Sequence, residues 1–114
     1  MEDKSVNILG VPYRIEYRNR KSDPKLEQCW GCCDNTIHKI IVNTLEEEDD
    51  GNIMNISDFR VEIKRILRHE LIHAFALESG LGYDSEWATN EEMTDWIARQ
   101  FPKILEVFRQ ADAL

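Results

Sequence analysis

A change in hydrophobic period near Ser57 most constrains what this chain can fold into. From Ser57 to Gly80, apolar residues recur at steps of three and four, which is the period of an α-helix. Earlier in the chain, every second residue from Val11 to Tyr17 is apolar or aromatic, which is the period of a half-exposed strand. Strands followed by helices predict an α+β fold in one domain over 1–114, with a small antiparallel sheet of about three strands packed against helices.

The predicted strands lie in the first half of the chain. Residues 5–18 are rich in strand-forming residues and are followed by turn residues. Residues 26–43 predict two strands joined at 33–36, where Asp and Asn favour a turn, with the second strand over 36–43. The acidic segment 45–52 then predicts a solvated loop.

Two helical stretches are predicted in the second half. The first has Ser57 as its N-cap and stops at Gly80, and its apolar residues extend around most of its circumference, which predicts a central, buried helix. After a loop, a final helical stretch starts near Asn90. Its apolar stripe consists of Met93, Ile97, Phe101, Ile104 and Phe108. Pro102 falls inside this stripe and predicts a kink or two abutting helices.

Charge and composition exclude several classes of partner. The formal net charge is −8 and the pI about 4.8, so the surface repels the phosphates of nucleic acids and anionic lipids. No apolar run has the length of a membrane span, and the acidic N-terminus is unlike a secretory signal. We therefore expect a cytoplasmic protein that binds neither nucleic acid nor membrane.

The three cysteines are interpreted as reduced thiols. Cys29 and Cys32 form a CxxC pair with Cys33 beside it, which is half of a structural zinc site. A second CxxC pair is absent from the sequence, so three thiols remain one ligand short unless His38 joins them. Free thiols on a strand are the simpler interpretation.

The most specific pattern is formed by His69, Glu70 and His73 on the first predicted helix. Histidines four residues apart lie on one helix face, where both imidazoles can bind one Zn²⁺ ion. Glu70 is about a third of a turn away from His69, close to such a metal without having to bind it. This HExxH arrangement is typical of metal-dependent peptidases, in which the glutamate is the general base for a metal-activated water.

A second pattern on the last helix adds the remaining metal ligand. HExxH followed by a helix bearing N-E-x-x-x-D, here Asn90, Glu91 and Asp95, resembles the gluzincin metallopeptidases, the group that includes thermolysin. The resemblance implies that Glu91 is the third ligand and that Asp95 accepts a hydrogen bond from His69. Glu92 is the alternative ligand and points about 100° away, but only Glu91 has Asp95 one turn later.

Over residues 57–105 the chain resembles small zinc peptidase-like proteins of phages and bacterial mobile elements, related to minimal gluzincins and to the ImmA/IrrE-type peptidases that cleave repressors. This resemblance implies a zincin-like fold, a Zn²⁺ cofactor, and a protein or peptide substrate such as a repressor-type regulator. It also implies that an extended substrate pairs with the strand before the active-site helix, for which 36–42 is the candidate. The metzincin pattern fits less well, because Ala76 and Ser79 stand where a metzincin would have glycine and a third histidine.

The sequence therefore predicts a zinc-dependent metallopeptidase with Glu70 as general base. Larger gluzincins supply an oxyanion donor from a C-terminal domain, which the sequence up to Leu114 does not offer, so Tyr83 is the candidate replacement. The alternative is a catalytically weak or inactive zincin-like regulatory protein that acts by binding another protein. A structural α+β protein without a metal is the third interpretation.

Overall fold

A four-stranded sheet followed by helices makes up the fold. The computed structural model describes residues 1–46 and 57–114. The strands are β1 (Lys4–Ile8), β2 (Val11–Arg18), β3 (Gly31–Asp34) and β4 (Lys39–Asn43), and the helices are α1 (Phe59–Glu78), α2 (Leu81–Asp84) and α3 (Glu91–Gln110). Short 3-10 helices cover Pro24–Glu27 and Trp87–Thr89. The predicted α+β class is confirmed.

The sheet is mixed, so the prediction of about three antiparallel strands is wrong. The strand order is β1-β2-β4-β3, in which β2 runs parallel to β4 and the two outer pairs are antiparallel. The fourth strand arises because the predicted strand over 5–18 folds back on itself at Leu9 and Gly10. These residues have φ angles of 51° and 91°, as the two central residues of a tight hairpin turn require.

The segment predicted to pair with an extended substrate lies in an interior strand of the sheet. Residues 39–42 of the docking segment 36–42 lie in β4, which pairs with β2 on one side and with β3 on the other. An interior strand has no free backbone edge to offer an extended peptide. The edge strand next to the helices is β3, at Gly31–Asp34.

The hydrophobic core lies between one face of the sheet and α1. The predicted alternation along β2 is confirmed, since Tyr13 and Ile15 are buried whereas Pro12 and Arg14 are exposed. The core cluster consists of Ile8, Tyr13, Ile15, Ile40, Val42, Leu45, Ile63, Ile66 and Ala74. Burial of these side chains holds α1 across the sheet and so fixes the direction in which its remaining faces point.

Helix α1 is capped and bounded almost as the sequence predicts. The N-cap is Asp58 rather than Ser57, because the Asp58 carboxylate accepts a hydrogen bond of 3.0 Å from the backbone N–H of Arg60. Gly80 follows the helix end with a φ angle of 87°, which favours glycine at a helix stop. The helix is not buried all round, since Phe75 lies on an exposed side.

The segment between the two long helices is more regular than the predicted loop, because it contains α2 and the second 3-10 helix. Helix α3 then starts where predicted. The Asn90 side chain accepts a hydrogen bond of 2.7 Å from the backbone N–H of Met93, which caps the helix. The predicted stripe is only partly buried, with Phe101 and Phe108 both exposed.

Helix α3 continues through Pro102 to Gln110, so the expectation of two abutting helices is wrong. Proline has no backbone N–H, which leaves the carbonyl four residues earlier, on Ala98, without its helical donor. Arg68 on α1 replaces that donor, because its Nε–H donates to the Ala98 carbonyl oxygen at 2.5 Å. The proline is therefore tolerated through a side-chain hydrogen bond that also ties α3 to α1.

Two further predictions concern the acidic loop and the membrane. The predicted loop over 45–52 falls mostly outside the described residues. In the ranges 1–46 and 57–114, no helix combines the length and apolar character needed to cross a bilayer.

Candidate metal centre

Donor atoms of His69, His73 and Glu91 converge where α1 faces the start of α3. The Nε2 atoms of the two histidines are 3.1 Å apart. The Glu91 carboxylate lies 2.8 Å from Nε2 of His69 and 3.0 Å from Nε2 of His73. In the part of the chain that the structure describes, this is the one group of three or more His, Cys, Asp or Glu donors able to share an ion.

The chemistry of the donor set suits a divalent metal ion such as zinc. Tetrahedral Zn²⁺ with bonds of about 2.0–2.1 Å places its ligand atoms roughly 3.3 Å apart. The two Nε2 atoms, 3.1 Å apart, are close to that spacing, and a different oxygen of Glu91 approaches each of them, Oε2 at 2.8 Å from His69 and Oε1 at 3.0 Å from His73. Two imidazoles and one carboxylate also make up the protein ligands of known catalytic zinc sites.

Local helix geometry explains why Glu91, and not Glu92, reaches the histidines. His69 and His73 are one turn apart on α1 and project from the same face. The Asn90 cap makes Glu91 the first residue of α3, and this end of the helix lies against that face. The next side chain points about 100° away, and Glu92 lines a different cavity.

Asp95 holds the far side of His69. Its Oδ1 atom lies 3.2 Å from Nδ1 of His69 and also accepts a hydrogen bond from Arg65, while Oδ2 accepts one of 2.7 Å from Arg99. Partial burial raises the pKa of Asp95, but the Arg99 hydrogen bond, the Arg65 charge and the His69 hydrogen bond together lower it below its usual value. A carboxylate in this position fixes the orientation of the imidazole and leaves Nε2 to face the other donors.

Glu70 is buried beside the three donors. Its residue surface is only 7% exposed, although a carboxylate normally seeks water. Burial raises the pKa of Glu70 from its usual 4.5 to about 7; the His69 charge opposes this rise, Glu91 adds to it, and Arg65 again opposes it. A carboxyl group that titrates near neutral pH can both accept and return a proton, as a general base requires.

Gly31 on β3 makes room for Glu70. A Cβ atom at this position would lie 2.7 Å from Cγ2 of Ile66 and 3.0 Å from Cγ of Glu70. Both separations are well below the ordinary contact distance between carbon atoms. The edge strand therefore packs directly against the side of α1 that carries the buried acid.

Two cavities flank the donor group. One of about 270 Å³ is bordered by His69, and the other, of about 540 Å³, is bordered by His73. Both cavities share Glu70 and Glu91 in their linings. The two cavities therefore meet at the buried acid and at Glu91, next to Gly31 on β3.

Tyr83, the predicted oxyanion donor, is not brought to this group. Its hydroxyl accepts a hydrogen bond from the Asn35 amide in the turn between β3 and β4. It lines neither of the cavities that border His69 and His73.

The three cysteines lie beside the donors without joining them. Cys29, Cys32 and Cys33 are unpaired thiols that all line the larger of the two cavities. Burial raises the pKa of each thiol, most strongly that of Cys33, to about 12. Among the described residues the cysteines belong to no group of donors that could share an ion.

Sequence reasoning missed the two arginines that hold Asp95. Arg65 is four residues before His69 on α1, and Arg99 is four residues after Asp95 on α3. Spacing of i and i+4 on a helix places two side chains side by side, so the Arg99–Asp95 pair was available as a signal, whereas Arg65 reaches Asp95 from another helix. Gly31 carried no comparable signal, because its role depends on a contact between distant segments.

Comparison of the chain with protein-family models, curated proteins and solved structures finds no match, so the assignment of this site rests on its own residues and geometry.

Proposed function

We propose that this protein is a zinc-dependent metallopeptidase of the gluzincin type. The observation that carries the proposal is the convergence of His69, His73 and Glu91 within 4.8 Å of one another, beside a buried Glu70. A bound Zn²⁺ would supply Lewis acidity, which polarises a carbonyl and lowers the pKa of water. His69, His73 and Glu91 would hold the ion, and Asp95 would orient His69.

Glu70 is assigned the proton transfers of peptide hydrolysis. Its carboxylate accepts a proton from the attacking water and returns one to the leaving amine. The burial that raises its pKa to about 7 supports this role, because a base is most effective when its pKa lies near the working pH. The surrounding protein contributes by excluding water from one side of the acid, since Gly31 and Ile66 lie against it.

We assign substrate binding to the edge strand β3. An edge strand leaves alternate backbone N–H and C=O groups unpaired, and an extended peptide can pair with them. Gly31 at the start of β3 borders both cavities that contain Glu70 and Glu91. A peptide added there would run past the general base, whereas one added at 36–42 would have to displace a neighbouring strand.

The test combines metal analysis with cleavage of a peptide library. Zinc-loaded protein is incubated with a proteome-derived peptide mixture, and new termini are identified by mass spectrometry. We expect one zinc per chain, cleavage that a chelator stops, and no cleavage by Glu70→Gln, which keeps its zinc. Glu106→Gln, an exposed acid on α3 far along the helix, is the matched control and should cut like the parent protein.

Three results would contradict the proposal in different ways. Absence of stoichiometric zinc would remove the metal site. Equal cleavage by the parent and Glu70→Gln would remove the general-base role. Full zinc loading with no cleavage of any peptide would favour the second candidate function.

That second candidate is a zincin-like regulatory protein that binds another protein and turns over slowly or not at all. The observation that favours it is the position of Tyr83, whose hydroxyl pairs with Asn35 and borders neither cavity at the donor group. A site without an oxyanion donor loses a large part of its transition-state stabilisation. Turnover of a bound repressor-type protein, measured with and without chelator, separates the two functions.

A further inference from the structure

A cavity of about 670 Å³ lies beside the start of α3 and has no residue in common with the two cavities at the donor group. We call it the aromatic–acidic cavity. Its lining consists of Glu86, Trp87, Asn90, Glu92, Met93 and Trp96. The volume is in the range of ordinary ligand sites.

Two tryptophans form the aromatic part of this cavity. Trp87 is 56% exposed and Trp96 is 57% exposed, although large aromatic side chains are usually well covered. Tryptophan is also strongly enriched among the residues that dominate binding energy at protein interfaces. Two exposed indoles lining one cavity therefore indicate a binding surface.

Two carboxylates form the acidic part. Glu92 and Trp96 are four residues apart on α3, so acid and ring share a helix face, and Glu86 directly precedes Trp87. In the ranges 1–46 and 57–114, neither the Glu86 nor the Glu92 carboxylate is in an ion pair or a side-chain hydrogen bond. The sequence of 47–56 contains no lysine or arginine that could neutralise them.

We propose that the aromatic–acidic cavity binds a lysine or arginine side chain of a protein or peptide partner. Indole faces attract an ammonium or guanidinium group through their quadrupole, and the two carboxylates add charge complementarity. The net charge of −8 attracts basic partners from a distance and repels anions. A purely apolar occupant would have to cover two unpaired carboxylates, which costs free energy.

The inference is independent of the proposed peptidase activity. Glu91 lies between Asn90 and Glu92 in sequence but lines the cavities at the donor group instead. The aromatic–acidic cavity therefore contains none of the proposed metal ligands, and its binding should be the same with and without zinc. Failure of one proposal leaves the other standing.

The test compares two small probes that differ in charge. Metal-free and zinc-loaded protein are titrated with N-acetyl-lysine methylamide or with its neutral analogue N-acetyl-norleucine methylamide, and the indole N–H resonances are followed by NMR. We expect the lysine probe to shift the Trp87 and Trp96 signals and to leave the Trp30 signal in place. The norleucine probe should shift none of them.

Variants locate the binding to the cavity. Glu92→Gln and Trp96→Leu should each weaken the lysine probe by about three- to tenfold, as expected for the loss of one charge or one cation–π contact. Glu106→Gln, on the same helix outside the cavity, is the matched control and should not change the affinity. Circular dichroism confirms that each variant remains folded.

Several outcomes would overturn the inference. These are equal shifts by the neutral probe, no shift up to about 100 mM of the lysine probe, or unchanged affinity in both variants. A Trp96 signal that changes with protein concentration, together with a dimer that Trp96→Leu abolishes, would identify a second copy of this chain as the occupant instead.

Discussion

The two sides of helix α1 have different roles, since one packs into the core and the other carries the polar groups of the candidate site. The side that faces the sheet is apolar, with Ile63, Ile66 and Ala74 inside the core cluster. The side that faces α3 carries charged and titratable groups, among them His69 and His73, which remain partly exposed. Burial of the first side fixes the helix, so the second side can hold polar groups in a defined arrangement without contributing much to folding stability.

Glu70 is where these two sides meet. It is as buried as the core residues around it, yet it lines the cavities of the polar side. Mutations on the sheet side of α1 should therefore change mainly stability, and mutations on the polar side mainly the properties of the candidate site. A mutation of Glu70 should change both. Four predictions examine that contrast.

The sheet side should control stability. Ile40→Ala removes a fully buried side chain on β4 and should lower the free energy of unfolding by about 2–5 kcal/mol, measured by urea denaturation. His73→Ala on the other side should change it by less than about 1 kcal/mol in metal-free protein. Equal losses from both variants would mean that the two sides are not energetically distinct.

At neutral pH, ionisation of the Glu70 carboxyl group should lower the free energy of unfolding. Its pKa is raised from 4.5 to about 7 in the folded chain, so the ionised form disfavours folding, and stability falls as the pH rises through this range. Metal-free Glu70→Gln should lack this loss and be more stable at pH 8, by about 3 kcal/mol at most. Glu106→Gln is the exposed control. Identical pH profiles for Glu70→Gln and the parent would contradict the prediction.

The polar side should control metal affinity. Asp95→Asn weakens the support of His69 and should reduce zinc affinity by about 10–100-fold, measured by competition with a chromogenic chelator. Glu92→Gln, three residues earlier on α3, removes an acid that lies outside the donor group and should leave zinc affinity unchanged. A larger loss in Glu92→Gln than in Asp95→Asn would make Glu92 the better candidate for the third ligand.

The smallest effect on stability is expected from loss of the hydrogen bond by which Arg68 on α1 supports α3. Arg68→Met leaves the Ala98 carbonyl without a donor and should lower stability by about 1–2 kcal/mol. In a Pro102→Ala background the helix regains its own N–H donor, so the same change should cost clearly less. A double-mutant cycle measures this coupling, and equal costs in both backgrounds would rule out the compensation.

Local patterns were sufficient for the two long helices and for the pairs of candidate-site residues that share a helix face. The spacing of His69 and His73, and of Glu91 and Asp95, predicted which side chains share a helix face, because helix geometry is set by neighbours three and four residues apart. The convergence of the two pairs followed only from the resemblance to gluzincins, and the structure brings those side chains together.

The order of the strands could not be read in the same way. Pairing of β2 with β4 joins segments more than twenty residues apart, and no local pattern specifies which strand becomes the edge. The hairpin at Leu9 and Gly10 was missed because leucine rarely adopts a positive φ angle. Arg68 shows the same limitation, since its partner carbonyl belongs to another helix.

The missing side chain at Gly31 has a mechanical consequence. With no Cβ, the backbone of β3 rests against Glu70 and Ile66 with no intervening layer that could absorb a displacement. Protein interiors are close-packed and compress little, so movement of a strand in direct contact is passed on almost undiminished. A shift of this edge strand would therefore be expected to change the position of the buried acid, because the two are in direct contact.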